Sequence, residues 1–453
     1  MLRRKKKKAD SNSPAASGEL PQVDFKPTAE DKNAEQGVLI ACRGMEQYPA
    51  MVVLMTQAVA ARAEQILLDF SQQGVAVRFR VDGMWEAMPP MDRPTGDGVL
   101  VILKRMAGLN AKDRKNKQKG KFGAKYKGID WILEITSQGI PTGERSLVAF
   151  SPKKSVINTL TDLGMREKMQ TQLRELLNSD DAMFLFSGAP GHGLPTSWRV
   201  GLESADRFVR DFHSIEEASA DEPELINITR HTFDSAASET PMNVLTGLLL
   251  KQPDVLVLPS FCNDEVAQLM IQEVSVEHRY TITRVGANSA VEGLFKLLGS
   301  HKALAKDLLK ICCGVLNQKL VRRLCTECRQ PFQPSPQLLQ KLGIPAGRVQ
   351  KLYQPFIPPP PEQRVDENGK PIEIEICTKC NGRGYFGRAG IFELLILDDE
   401  IRKAVLSKPD PAHVTAVAKQ RGFLTFQEEG VLAVATGMTS LQELQRVLSP
   451  KKK

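Results

Sequence analysis

The sequence predicts an α/β protein made of two unlike parts. An N-terminal α+β domain precedes a domain with a parallel sheet, and a cysteine-bearing module and a helical C-terminus follow. Three observations predict this. Apolar and polar residues alternate before residue 150, as in "VAVRFRVDG" at 75–83. Continuous apolar runs separated by helical stretches take over after 155, as in "AMFLFSG" at 182–188 and "PDVLVLP" at 253–259. Two C-x-x-C pairs stand at 325–328 and 377–380. Alternation marks a strand buried on one face, whereas a short unbroken apolar run marks one buried on both.

Residues 1–45 begin with "MLRRKKKKADSNSPAASGEL" and read as a disordered basic arm, because a charged Pro/Ser/Ala-rich stretch without hydrophobic period cannot bury a core. The α+β domain is expected over 46–152. "YPAMVVLMTQAVAARAEQILLDF" at 48–70 has the length and composition of one helix, and 75–83 is a strand running into an Asp-Gly turn. "GVLVILKRMAGL" at 98–109 reads as a helix, "DWILEIT" at 130–136 and "GERSLVAF" at 143–150 as strands. Helices on one face of a largely antiparallel sheet fit this order. The parallel-sheet domain is expected over 153–320, with helices at 165–178 and 264–274 and strands at 182–188, 253–259 and 279–285. The module at 321–395 carries a proline-rich insert, "YQPFIPPPPEQRVDENGKP", read as a polyproline-type loop. Residues 396–450 are helical, broken at "KPDP" and "RGF".

The chain has 453 residues and a net charge of +8, with 42% hydrophobic and 25% charged residues, the profile of a globular protein. The charge sits at the ends. "RRKKKK" at 3–8 supplies six cations and "KKK" at 451–453 three, so the rest of the chain carries −1. Such tails read as solvated ends or as contacts to an anionic membrane surface. Nucleic acid is the weaker reading, since no aromatic residues are interleaved with the charge. No run of 18 apolar residues occurs and no apolar segment follows the basic N-terminus, so neither a membrane span nor a signal peptide is expected.

Of eight cysteines, Cys42, Cys262, Cys312 and Cys313 have no ligand spacing and read as small buried apolar residues. Cys325, Cys328, Cys377 and Cys380 form two knuckles that could close a tetrahedral S4 zinc site. Two disulfides or four free thiols are the competing readings, and the missing secretion signal disfavours the first.

"FLFSGAPGHGLPTSWRVGL" at 184–202 has the frame of a phosphate-binding loop: a buried strand, glycines at Gly188, Gly191 and Gly193, then a helix. G-x-x-x-x-G-K-[ST] would place lysine at 194 and Ser or Thr at 195, but Leu194 and Pro195 stand there. Thr196 follows one position late, about 100° around a helix. Downstream, "LLLKQPDVLVLPSFCNDEVA" has the form of a strand whose far end would carry metal-binding carboxylates.

On these residues the chain resembles the ATPases of type II secretion and type IV pilus assembly, from about 50 to 450. The family's "SGPTGSGKTTTL" is matched by "SGAPGHGLPTSW", its "DPDVIMVGEIRDxETA" by "QPDVLVLPSFCNDEVA", and its acidic "tiEDPiE" by "SIEEASA" with Glu216 and Glu217. "GHLVxSTLHTND" is matched by "EHRYTITRVGAN", which keeps His278 and has Val285 at the second histidine position. "VRFRVDG", "LKRMAGLNAKDRKNKQKGKF", the cysteine pairs, "GRGYFGRAGIFELL" and "GMTSLQELQRVL" match further family segments. The resemblance implies a PAS-like N-terminal domain, a RecA-like P-loop NTPase domain, a tetracysteine zinc module, ring oligomers (homomeric, or mixed with an active paralogue) and partners in a secretion or pilus machine at the inner membrane. It implies a cytoplasmic location, with the inner membrane face as a peripheral site.

The departures fall on the chemistry. Leu194 replaces the phosphate-binding lysine, Pro195 the Mg2+ ligand, and Ser260 the glutamate of the second motif. One preorganised transition-state contact is worth roughly 3–4 kcal/mol, about 10²–10³ in rate. No catalytic residue is therefore assigned. Glu216, Glu217 and His278 are the residual candidates, and Gly188, Gly191, Gly193 and Thr196 are the nucleotide-binding ones. The two glutamates read as exposed carboxylates, His278 as a hydrogen-bonded structural residue rather than a phosphate sensor, His192 as solvated, and Lys104, Arg105, Arg114 and Lys115 as exposed or interfacial charge. Zn2+ is the expected cofactor and ATP/Mg2+ a doubtful one. The favoured reading is a catalytically impaired family member with a structural or regulatory role. An active motor with a non-standard loop and a zinc-dependent nucleic-acid-binding protein are the alternatives.

Overall fold

The computed structural model describes residues 22–449 apart from 221, 262, 346, 361–362 and 364–371. The chain divides into two compact units between Val156 and Ile157.

The first unit runs β1 (Asp24–Lys26), α1 (Lys32–Arg43), α2 (Tyr48–Ala60), β2 (Ala63–Phe70), β3 (Val75–Val81), β4 (Met84–Met91), α3 (Arg93–Met106), β5 (Gln118–Tyr126), β6 (Ile129–Ile140) and β7 (Gly143–Pro152). Its sheet has the order β1-β5-β6-β7-β2-β3-β4 with every pair antiparallel. Val75, Val77, Phe79 and Val81 are buried while Ala76 and Arg78 are exposed, so period-two alternation turns one face to the core. Met51, Met55, Leu100 and Leu103 of α2 and α3 cover that face.

Three expectations change here. The arm predicted over 1–45 gives way to β1 and α1; Asp31 caps α1 by accepting from the Ala34 amide at 2.8 Å. Residues 1–21 lie outside the described residues. The single helix predicted over 48–70 ends at Ala60. Arg62 takes φ 61° and the chain re-enters the sheet as β2, paired with β3 and β7. The alternation in "AEQILLDF" was hidden behind an alanine-rich helix whose composition runs straight into it. Lys104 is also not surface charge: it is buried on α3, with its Nζ 2.5 Å from Glu144 Oε1.

The second unit contains α4 (Glu167–Leu177), β8 (Met183–Gly188), α5 (Leu194–Glu203), β9 (Phe212–Glu217), β10 (Ile228–Phe233), α6 (Pro241–Leu249), β11 (Val255–Leu258), α7 (Asp264–Ser275), β12 (Tyr280–Val285), α8 (Ala290–Ser300), α9 (Ala305–Ile311), β13 (Cys312–Leu324), β14 (Gln330–Phe332), α10 (Pro336–Lys341), β15 (Leu352–Gln354) and β16 (Tyr385–Ile396). Four helices close it: α11 (Asp399–Ser407), α12 (Pro411–Gln420), α13 (Phe426–Ala435) and α14 (Leu441–Leu448).

The main sheet has the order β10-β9-β11-β12-β8-β13-β16, parallel except for β16, which runs antiparallel to β13. All six residues of β8 are buried, as its apolar sequence requires. Trp198, Val200 and Leu202 of α5 pack on one face with Phe184 and Phe186. Met270, Val274, Leu294 and Leu308 of α7, α8 and α9 pack on the other. Gly201 lets α5 lie close to the sheet: a methyl group on its Cα would sit 2.4 Å from the Phe186 ring. β13 and β16 reach into the stretch expected to form a separate cysteine module, yet both belong to this sheet. The insert between the cysteine pairs contains β14, α10 and β15 as well as irregular chain at 355–360; residues 361–362 and 364–371 of the predicted polyproline loop lie outside the described residues. No single described helix is long and apolar enough to cross a membrane.

Candidate nucleotide site and cysteine cluster

The glycine loop joins the carboxyl end of β8 to α5 at the centre of the parallel sheet. Gly191 and Gly193 have φ of 81° and 84°, the left-handed region that glycine enters without a Cβ penalty. His192, Thr196 and Ser197 donate their amides to the carbonyls of Ala189, Gly193 and Gly193. The amides of Gly191, Gly193 and Leu194 have no acceptor among the described residues. Such a cluster of amides at a helix start attracts an anion.

The loop is held from β13. Gln318 Nε2 donates to the His192 carbonyl at 2.6 Å, and the Leu320 amide donates to His192 Nδ1 at 3.3 Å. His192 is therefore tied to the sheet, not solvated as its loop position suggested. The Leu194 side chain turns back toward Gly188, where an added Cβ would meet its Cβ at 3.2 Å. Pro195 has neither amide hydrogen nor hydroxyl, and Ser197 Oγ is spent on the Leu194 carbonyl at 3.1 Å. The backbone fits a phosphate group. No side chain at 194 or 195 fits the cation and metal that an ATP·Mg2+ complex brings.

Beside the loop, the carboxyl ends of β9, β11 and β12 and the crossovers that follow enclose a cleft of about 430 Å3. Glu217, Glu222, Glu239, Ser260, Asn263 and Arg284 supply its polar lining. Glu217 Oε1 accepts from the Ser235 amide at 3.1 Å, and Arg284 grips Glu222 through both terminal nitrogens, one at 3.0 Å. The Arg284 guanidinium also lies 5.1 Å from the centre of the Trp198 ring. Glu216 is not an exposed carboxylate. It is buried on β9, its Oε2 2.6 Å from Arg230 Nε, because consecutive strand residues face opposite sides and only Glu217 reaches the cleft. Sequence reasoning missed Arg284 and Glu222, whose pairing joins residues 62 positions apart; an arginine inside a predicted strand was the available signal.

His278 stands at the wrong end of the sheet for a phosphate contact. It precedes β12, takes φ 58°, and places Nδ1 2.9 Å from Asp181 Oδ2, just ahead of β8. β8 and β12 run parallel from Thr281↔Met183 to Val285↔Ser187, so His278 is separated from the loop by the length of the strands, more than about 13 Å at 3.3 Å per residue. Val285 occupies the loop end.

The four predicted cysteines come together. Their Sγ atoms all lie within 4.8 Å of one another, with Cys325–Cys377 at 3.8 Å and Cys328–Cys380 at 3.6 Å. None is in a disulfide. Four sulfurs about 2.3 Å from one Zn2+ in a tetrahedron would be about 3.8 Å apart, so the donor set fits that ion. Cys325 and Cys380 are buried, and the Cys325 amide donates to the Gly384 carbonyl at 3.0 Å, locking one knuckle to the other. Cys42 and Cys312 are buried as expected, Cys313 is partly buried, and Cys262 lies outside the described residues.

Comparison with known proteins agrees with this layout. The family model "Type II/IV secretion system protein" matches residues 48–446. The type IV pilus assembly ATPase PilB of Thermus thermophilus is 25% identical over 395 residues, covering 86% of this chain and 42% of that protein. Type II secretion system protein E of Dickeya dadantii is 27% identical over 396 residues, covering 87% of this chain and 74% of that protein. In structure, the Legionella pneumophila ATPase DotB superposes with a TM-score of 0.55 at 12% identity, over 88% of this chain and 95% of that one. The pilus retraction motor PilT with bound ADP gives 0.52 at 14% identity, over 88% and 96%. These two likenesses establish a shared mixed α/β fold around a parallel sheet. With the family model spanning both units, the glycine loop, the cleft and the cysteine cluster, the chain belongs to the type II/IV secretion system protein family of secretion and pilus ATPases.

Proposed function

We propose that this protein is a catalytically impaired member of its family, a cytoplasmic subunit that gives structure or regulation to a secretion or pilus machine. The observation that carries this reading is the contrast between a well-formed loop and its missing charges. The glycines, the strand and the helix are in place, whereas Leu194, Pro195 and Ser260 supply neither lysine, metal ligand nor carboxylate. Phosphoryl transfer depends on positioning and charge neutralisation, so losing these groups removes most of what a motor uses. In this reading the first unit is PAS-like, the second is RecA-like, and the cysteine cluster holds a structural Zn2+. The chain assembles into a ring of its own copies or of an active paralogue at the inner face of the membrane. A phosphate-release assay on the purified full chain tests it, with a Gly193→Asp variant as control. Background release in both proteins is expected. Motor-rate turnover abolished by Gly193→Asp overturns the reading.

A further inference from the structure

We propose that the insert between the cysteine pairs carries both halves of a contact between two copies of this chain: a cation-rimmed apolar groove beside β14, α10 and β15, and an acidic segment at 372–376 that docks in the groove of the second copy. The groove measures about 990 Å3 and is lined by Phe332, Pro334, Leu339, Ile344 and Val349. Lys351 lines it too, and Lys341 and Arg348 adjoin the lining residues Gln340 and Val349. All three cations are exposed, and none forms an ion pair among the described residues. From Arg329 to Pro361 the chain holds four cations and no carboxylate. The groove therefore suits an apolar chain that also carries negative charge.

The complementary segment lies further along the same insert. Residues 362–376 carry five carboxylates against two cations and end in "IEIEI". Strict alternation of a β-branched apolar residue with an acid is the pattern of a strand that buries one side. Yet residues 372–376 join no sheet and make no backbone hydrogen bond among the described residues. Ile372 and Ile376 are 45% and 44% exposed, and Glu373 and Glu375 form no ion pair among the described residues. None of the segment lines the groove of its own chain. Its far end is pinned at the cysteine cluster, since a methyl group on the Gly382 Cα would lie 3.3 Å from Ile376 Cγ2. The segment is thus held out with its isoleucines uncovered. In the groove of a second copy, an extended chain sets its isoleucines on the apolar lining and turns its glutamates toward the rim cations. Each copy carries both halves, so the contact can repeat from copy to copy.

This inference deepens the assembly part of the proposed function and rests on copies of the chain meeting, independently of catalysis. It is tested by photo-cross-linking of the full chain, with p-benzoylphenylalanine in place of Ile372, mixed with an equal amount of isotopically heavy chain without the probe. Mass spectrometry should find light-to-heavy links from position 372 into residues 331–351. Glu373→Lys/Glu375→Lys in the probe chain should lower their yield at least about tenfold by setting like charges together. Arg348→Glu/Lys351→Glu in the heavy chain should do the same, and pairing the two variants should restore the yield. All four positions are exposed, so the melting temperatures of the variants should match the parent. Links within one chain only, links only to other surfaces, no links, an unchanged yield in either variant, or no recovery on pairing each overturns the inference. Sedimentation velocity on the same samples reports assembly as such. A ring that persists without these links leaves the proposed function standing, so the two ideas fail separately.

Discussion

Lys104 Nζ and Glu144 Oε1 lie 2.5 Å apart in the interior of the first unit, both almost without solvent contact. Ser137 Oγ donates to the same carboxylate at 2.5 Å, and Arg114 Nε approaches its other oxygen at 3.5 Å from the surface. A buried pair of this kind contributes little against an apolar replacement, but removing one partner strands the other. Lys104→Met is expected to destabilise the unit by about 3–5 kcal/mol, and Lys104→Met/Glu144→Leu to recover most of that. Urea unfolding of the full chain followed by tryptophan fluorescence, with Trp85 and Trp131 reporting on this unit and Trp198 on the other, checks both.

Gly201 sets the approach of α5 to β8, and so the placing of the loop. Gly201→Ala forces a methyl against Phe186, and overpacking of this kind costs about 1–3 kcal/mol. Thermal melting should show the loss, and Phe186→Leu in the same chain should return part of it by making room.

The cysteine cluster predicts a metal stoichiometry. Elemental analysis of protein purified without chelator should find one Zn2+ per chain, and Cys328→Ser should lower that occupancy. Loss of a structural ion should reduce the melting temperature by roughly 5–10 °C, equivalent to a few kcal/mol in a domain of this size. Full stability in a zinc-free chain would remove the structural role.

Glu443 ties α14 to β13. Burial pushes its carboxyl pKa up, but hydrogen bonds from Arg446, from the Arg322 side chain and from the Arg322 amide outweigh burial and hold it below the usual value. A depressed carboxyl stabilises the fold above its unfolded pKa of about 4.3, and the contribution is lost as pH falls through the folded value. Glu443→Gln should cost roughly 3 kcal/mol at pH 7. The gap to the parent should close below pH 4, as measured by denaturation at several pH values.

Reintroducing the missing lysine separates binding from chemistry. Leu194→Lys is expected to tighten ADP binding about tenfold, since the new ammonium joins the loop amides. Phosphate release should remain at background, because Pro195 and Ser260 still offer no metal ligand or carboxylate. Parallel titration and release assays check both.

The two fold classes, the glycine loop and the cysteine quartet could be read from local pattern, since each depends on residues close in sequence or on spacing alone. β9 and β10 could not. "FHSIEE" and "ITRHTF" are too polar to announce themselves, and β10 closes the edge of the sheet where alternation is weak. The partners of Lys104, Glu216 and Arg284 were equally hidden, because a charged residue's surroundings are decided by chain segments 40, 14 and 62 positions away. His278 matches a family motif, yet strand polarity puts it at the far edge from the loop, bonded to Asp181 as its structural reading expected.

Cys325 and Cys328 meet Cys377 and Cys380 where β13 and β16 come side by side, so the chain between the pairs departs and returns through one gate. Behind that gate the segment is anchored, since Leu352 of β15 is buried with Val321 of β13 and Ile391 of β16. The excursion thus works as a buttress: the same sheet edge that releases the chain is covered by it before the chain returns.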